Sequence, residues 1–309
     1  MLRGRFSRPA LRLALAGAFF AGIACQAPSA HAWGNDGHRI INRLAVSALP
    51  ADAPAFLRSQ AAVNEIEYLG PEPDRWRSPA EPELSAAQAP EHFIDFELAD
   101  KLGPLPHKRF DFLAEVYAAG ERPETIGLQP WQTDEVWERL KSAMRDYREL
   151  KAAGTDTQPV EQAIVFYAGW LGHYVGDGSQ PLHTTVQYNG WTGPNPHGYT
   201  TSHRIHYQFE TEFVSANIHA ADVEADMTPP KAIPGDMFDA YVAYLRRTAT
   251  HVEEVYQLDK EGGFEGAGTA ASRAFTAARL AAGASMLRDM IYAAWLDSAQ
   301  PVPDRYAGK

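Results

Sequence analysis

Residues 171–183 read L-G-H-Y-V-G-D-G-S-Q-P-L-H. Within them His173, Asp177 and His183 are spaced by four and six. On a helix, His173 and Asp177 lie about one turn apart and point the same way. Pro181 cannot continue that helix, so His183 falls just beyond its end. The run leading in, Val160 to Asp177, is strongly apolar through Ile164, Val165, Phe166, Trp170 and Leu171, as expected of a buried central helix. Imidazole and carboxylate are costly to desolvate unless they are paired or bound to metal. Two imidazoles and a carboxylate converging at a buried helix end are ligands that zinc accepts.

Working outward, helical periodicity recurs on both sides. His38 to Leu49 carries Ile41, Leu44, Ala45 and Leu49 on one face before Pro50 stops it. Ala53 to Val63, Phe110 to Ala119, and Trp131 to Ala153 with Val136, Leu140, Met144 and Leu150 also read as helices. So do His203 to Ser215, Gly235 to Tyr256, and Ala270 to Ser298. No alternating strand pattern, internal repeat or linker is found. The expectation is therefore an all-α, single-domain bundle of seven or eight helices around the buried one. Glu67 to Pro106 holds seven prolines and few periodic apolar residues, so it reads as a long irregular loop. That loop is dense in possible ligands, with Asp74-Arg75-Trp76-Arg77 and Glu91-His92-Phe93-Ile94-Asp95. Gln187 to Thr200 is a second, turn-rich loop carrying Tyr188, Trp191 and Tyr199.

His206 and Glu210 repeat the spacing of His173 and Asp177. One such pair is commonplace on a helix surface. Two pairs on apolar helices, with His183 between them, point to a metal cluster.

The chain of 309 residues opens with Arg3, Arg5, Arg8 and Arg12 and an apolar run from Leu13 to Cys25. That run is too short for a permanent membrane anchor. Ala30-His31-Ala32 fits a small-x-small cleavage site, so residues 1–32 read as a signal peptide and the mature, exported chain begins at Trp33. Cys25 is the only cysteine, so no disulfide holds the mature protein. Lipid attachment at Cys25 fits poorly, because Gly22 stands where a bulky aliphatic residue belongs. The formal net charge of −11 excludes the broad basic footprint of a duplex-DNA binder. It does not exclude a phosphate substrate, since bound cations would offset the charge locally.

Taken in order, Trp33, Gly37-His38, Asp74, His92-Phe93-Ile94-Asp95, His173-x-x-x-Asp177, Gln180-Pro181-Leu182-His183 and His206-x-x-x-Glu210 resemble the zinc-dependent phospholipase C and single-strand-specific nuclease superfamily. The resemblance covers nearly all of the chain from residue 33 onward. It implies three zinc ions at one end of the bundle. One would be held by Asp74, His92, His173 and Asp177. A second would be held by the amino and carbonyl groups of Trp33, by His38, and by Asp177 as a bridge. The third would be held by His183, His206 and Glu210. The resemblance also implies that signal removal activates the chain, since a terminal amine can ligate metal only after cleavage. Asp74 and Asp177 then take catalytic as well as ligand roles, and Arg77 matches a phosphate-facing arginine of the nuclease branch.

The implied substrate is a phosphodiester, either single-stranded nucleic acid or a phospholipid head group. His38 five residues after Trp33, and the long gap from His183 to His206, resemble the nucleases. Phe93 and Asp95 match positions that stack on and hydrogen-bond a base there, which suits single strands. Glu210, Arg204 and Phe209 depart from the nuclease pattern, and Glu210 is the phospholipase choice. Tyr188 and Trp191 are candidates for the substrate rim, with packing within their loop as the other reading. The nuclease, with a 3′-nucleotidase activity beside it, is the favoured reading, and a phospholipase C and a non-catalytic zinc protein are the alternatives. A monomer without a stable protein partner or transmembrane anchor is expected. His107, His197, His203, His219 and His251 have no assigned part.

Overall fold

The computed structural model describes residues 33–302; the expected signal peptide, residues 1–32, lies outside them. Eight helices of nine residues or more dominate. They are α1 (Gly34–Ser47), α2 (Gln60–Leu69), α3 (Arg109–Ala118), α4 (Gln129–Ala152), α5 (Gln158–Asp177), α6 (Met237–Ala249), α7 (Val252–Lys260) and α8 (Ala270–Asp297). No strand occurs among the described residues, only the isolated bridges Ile94–Gly127 and Tyr188–Gly190. The fold is all-α. None of the described helices is long and apolar enough to cross a membrane.

The apolar helix α5 lies at the centre, packed against α1, α2, α4 and α8. Ile164, Ala168, Leu171, Tyr174 and Val175 are buried in one continuous core. Its glycines set how closely the neighbours approach. A Cβ on Gly172 would lie 2.0 Å from Asn42 Oδ1, and one on Gly176 would lie 2.9 Å from His38 Nδ1. Asn42 uses the space to donate to the carbonyls of Ile66 (2.8 Å) and Gly169 (3.0 Å), tying α1 to α2 and α5. His38 is thereby set beside the last turn of α5.

That last turn is buried, so its carbonyls need partners from elsewhere in the chain. Tyr174 O accepts from Gln129 Nε2 (3.0 Å) and Tyr241 Oη (2.8 Å), and Val175 O accepts from Tyr244 Oη (3.2 Å). Gly176 O accepts from the Trp33 indole at 2.8 Å. A buried helix C-terminus also carries the negative end of the helix dipole, which favours a cation nearby.

Three expected elements differ. The Pro-rich stretch is not an irregular loop. It forms short helical turns at Glu72–Arg75, Pro82–Gln88, Ala89–His92 and Phe96–Ala99. Pro73, Pro82 and Pro90 sit in the first turns, where a missing N–H costs nothing. The helix expected over Ala53 to Val63 divides into a 3-10 turn (Ala55–Arg58) and α2, because Ser59 is extended and caps α2 by accepting from Ala62 N (3.2 Å). Gly235 to Tyr256 divides into α6 and α7 around Thr250 and His251.

Candidate metal centre

The ligand-type residues come from several local devices. Asp177 is the last residue of α5, and His173 is one turn earlier. His183 closes a 3-10 turn, Pro181–His183. His206 lies in a single α-turn (Ile205–Tyr207), and Glu210 in the π-helical turn that follows it (Gln208–Phe213). The expected regular helix over His203 to Ser215 is thus broken at the site, as π turns often are. Asp74 and His92 come from the short turns of the Pro-rich stretch. Ile94 N donates to His183 O (3.0 Å) and Phe96 N to Thr184 O (3.3 Å), docking that stretch against the His183 turn.

The side chains converge into three buried triads: His38–His173–Asp177, Asp74–His92–His173, and His183–His206–Glu210. Asp177 divides its oxygens between the first two. Oδ1 lies 3.3 Å from His38 Nε2, while Oδ2 lies 3.1 Å from His92 Nδ1 and 3.4 Å from His173 Nε2. In the third triad His206 Nε2 is 2.8 Å from Glu210 Oε2 and 3.1 Å from His183 Nε2. Two nitrogens on one tetrahedral zinc stand about 3.3 Å apart, so these spacings suit a shared cation.

Three imidazoles have their second nitrogen committed. His173 Nδ1 faces Gly70 O (2.8 Å), His183 Nδ1 faces His92 O (2.7 Å), and His206 Nδ1 faces Tyr188 O (2.9 Å). A carbonyl only accepts, so each Nδ1 carries the proton and each Nε2 turns a lone pair inward. That is how metal-binding histidines are usually oriented.

Burial and close packing shift the ionisable groups of the triads. Burial pushes the Asp177 carboxyl well above the usual carboxylate range, with Asp74 and Glu210 adding to it and His183 opposing. Burial, reinforced by His38 and His92, pushes the His173 imidazole well down. Glu210 is also raised by burial, but His206 and His183 outweigh this and bring it to about 2. Asp177 Oδ1 and Glu210 Oε1 are buried without a hydrogen bond among the described residues. Carboxylates and imidazoles gathered in buried triads, with carboxylate oxygens left over, are a donor set that fits divalent zinc.

Above the triads opens a cavity of about 370 Å³. Its wall includes Arg77, His92, Phe93, Asp95, His183, Tyr188 and His206. Arg77 Nη1 is 3.6 Å from Asp74 Oδ1, and Tyr188 is half-exposed at the rim. Burial, with Glu97 adding to it, raises the Asp95 carboxyl to about 7. Trp191 does not line this cavity. Its ring packs on Tyr199 (4.8 Å) and Tyr256 (5.1 Å), and its N–H donates to Pro194 O (2.9 Å). Trp33 is buried, with its ring edge-on to Phe209 at 5.3 Å. Glu124, Thr125, Leu182 and Ala89 also line the cavity, unanticipated from sequence. Glu124 and Thr125 arrive through Gly127, whose φ of 94° lets the chain pair with Ile94. No sequence pattern marks them.

The described chain is all-helical, with buried His and carboxylate triads that could hold metal ions beneath an open cavity. Residues 33–262 match the S1/P1 nuclease family, and the chain belongs to that family, within the phospholipase C and nuclease superfamily. No curated protein matches the chain significantly.

Proposed function

We propose that the protein is an exported, zinc-dependent phosphodiesterase that cleaves single-stranded nucleic acid and also removes phosphate from 3′-nucleotides. The observation that carries this reading is that Phe93 and Asp95 line the same cavity as His92, His183 and His206. A ring and a carboxyl beside a phosphate site suit an unpaired base, stacked on one and hydrogen-bonded by the other. Membership of a nuclease family supports the same substrate.

Three zinc ions fit the donor set. Asp74, His92, His173 and Asp177 would hold one. The Trp33 terminus, His38 and Asp177 would hold another, and His183, His206 and Glu210 the third. Bound zinc supplies Lewis acidity and lowers the pKa of water in its coordination sphere. The chain's own residues do the rest. Arg77, on the cavity wall, donates to the non-bridging phosphate oxygens and stabilises the charge that grows on them. The Asp74 carboxylate, beside Arg77, orients the attacking water and accepts its proton. Phe93 and Tyr188 hold the base side of the nucleotide. The start of the family match at residue 33 supports cleavage before Trp33, with residues 33–309 as the catalytic domain.

The test is a substrate panel on the chain beginning at Trp33: single-stranded DNA, RNA, 3′-nucleotides and phosphatidylcholine vesicles. Cleavage of the single strands and 3′-nucleotides is expected. Hydrolysis of the lipid alone would overturn the reading in favour of a phospholipase C.

A further inference from the structure

Gln180 stands in the Gln180-Pro181-Leu182-His183 run, yet its side chain has no part in the chemistry above. It is fully buried. Its backbone N–H donates to Asp177 O (3.0 Å), and its carbonyl accepts from His183 N (3.0 Å). Its side chain bonds at both ends. Oε1 accepts from Leu182 N at 2.6 Å, and Nε2 donates to Glu210 Oε2 at 3.1 Å. The amide orientation follows from these partners, since the Leu182 N–H needs an acceptor and the carboxylate needs a donor. The 3.5 Å approach of Nε2 to His206 Nε2 is too long to count as a bond.

We propose that Gln180 is a positioning residue for the His183–His206–Glu210 triad, holding the Glu210 carboxylate against the two imidazoles and so setting that triad's affinity for zinc. The inference rests on the reading of that triad as a metal site. The geometry separates it from simple turn capping. Capping needs only Oε1, and a shorter side chain provides it. The Nε2 end instead crosses to a residue thirty positions away in sequence, on a π-helical turn, whose carboxylate also pairs with His183 and His206. The two bonds that the side chain is seen to make reach Leu182 N and Glu210 Oε2, so its link to a triad runs to the third one. Partners of metal ligands, when removed, typically cost 10–100-fold in metal affinity.

The experiment is a chelator-buffered zinc titration of the zinc-stripped chain, comparing wild type with Gln180→Met, Glu210→Gln and the double variant. Gln180→Met preserves length and volume. Gln180→Asn serves as a second variant, because it keeps a cap for Leu182 but falls short of Glu210. Circular dichroism and melting of the metal-free proteins check the fold. In both single Gln180 variants one binding step should weaken 10–100-fold and the others stay put. In the Glu210→Gln background the Met substitution should add nothing, because the coupling runs through Glu210. Superimposable titrations, a uniform weakening of every step, or an undiminished effect in the Glu210→Gln background would each overturn the proposal. If wild type and Glu210→Gln take up equal zinc, the metal reading of the triad falls, and this proposal with it.

Discussion

His183 Nδ1 lies 2.7 Å from the backbone oxygen of His92, so an imidazole of one triad is oriented by the main chain of a residue in another. The carbonyl can only accept, which fixes the His183 tautomer and aims its Nε2 at His206 and Glu210. The same bond couples the Pro-rich stretch to the end of α5.

Metal removal should lower stability. An ion at about a hundred times its dissociation constant adds about 2.7 kcal/mol to the folded state. For a domain of this size ~1 kcal/mol moves Tm by roughly 2–4 °C. Calorimetry with and without a strong chelator at pH 7 should show a fall of at least about 5 °C. An unchanged Tm would count against a buried metal cluster.

Arg77 should matter for turnover and not for metal. Arg77→Ala is expected to reduce kcat by about 10²–10³-fold, the usual cost of losing one donor to transition-state charge. Zinc content should stay at the wild-type value. Arg77→Lys should recover only part of the loss, because an ammonium cannot reproduce the bidentate contact. Equal kcat in all three proteins would remove Arg77 from the chemistry.

The glycines of α5 should fail in different ways. A methyl at position 172 collides with Asn42 Oδ1 at 2.0 Å and breaks the amide's bonds to α2 and α5. Gly172→Ala should cost about 3 kcal/mol in urea unfolding of the metal-free chain. A methyl at position 176 meets His38 Nδ1 at 2.9 Å instead. Gly176→Ala should cost less stability but lower zinc uptake at His38, read by elemental analysis.

Asp95 should make the metal-free fold less stable as pH rises. Its carboxyl titrates near 7 in the fold, raised from 3.8 by burial first and Glu97 second. Between those values the folded state holds a proton that the unfolded chain has released. The associated stability is complete below pH 3.8 and is lost as pH climbs through about 7. Three pKa units set a ceiling of roughly 4 kcal/mol. Asp95→Asn should therefore gain on the order of 1–3 kcal/mol over wild type at pH 8 and nothing at pH 4. Parallel stability–pH curves for the two proteins would show that Asp95 does not titrate in this window.

The terminus should be sensitive to a single added residue. Trp33 is anchored by its indole to Gly176 O, beside the last turn of α5. A chain beginning at Trp33 should be active, and one retaining Ala32 should lose most of its activity and one equivalent of zinc. Equal turnover of the two would exclude the amine as a ligand.

From sequence alone came the ligand types, their i, i+4 spacing on apolar segments and the helical class of the fold. These are local properties. Helical period and side-chain chemistry act over a few residues, so His173 with Asp177, and His206 with Glu210, could be read without knowing any partner. Motif order then pointed to the family that the match over residues 33–262 bears out. Tertiary structure alone decided the rest. Prolines that suggested a loop proved to start helical turns, and the stretch is docked by Ile94 N on His183 O and Phe96 N on Thr184 O. Trp191 turned into an aromatic cluster with Tyr256, while Thr125 and Glu124 entered the cavity through a pairing made at Gly127. The link from Gln180 to Glu210, and the bond from His183 to His92, span thirty and ninety-one positions. Such contacts are set by how close the packed elements come, and the glycines of α5 determine that distance only once α1 and α2 lie against them.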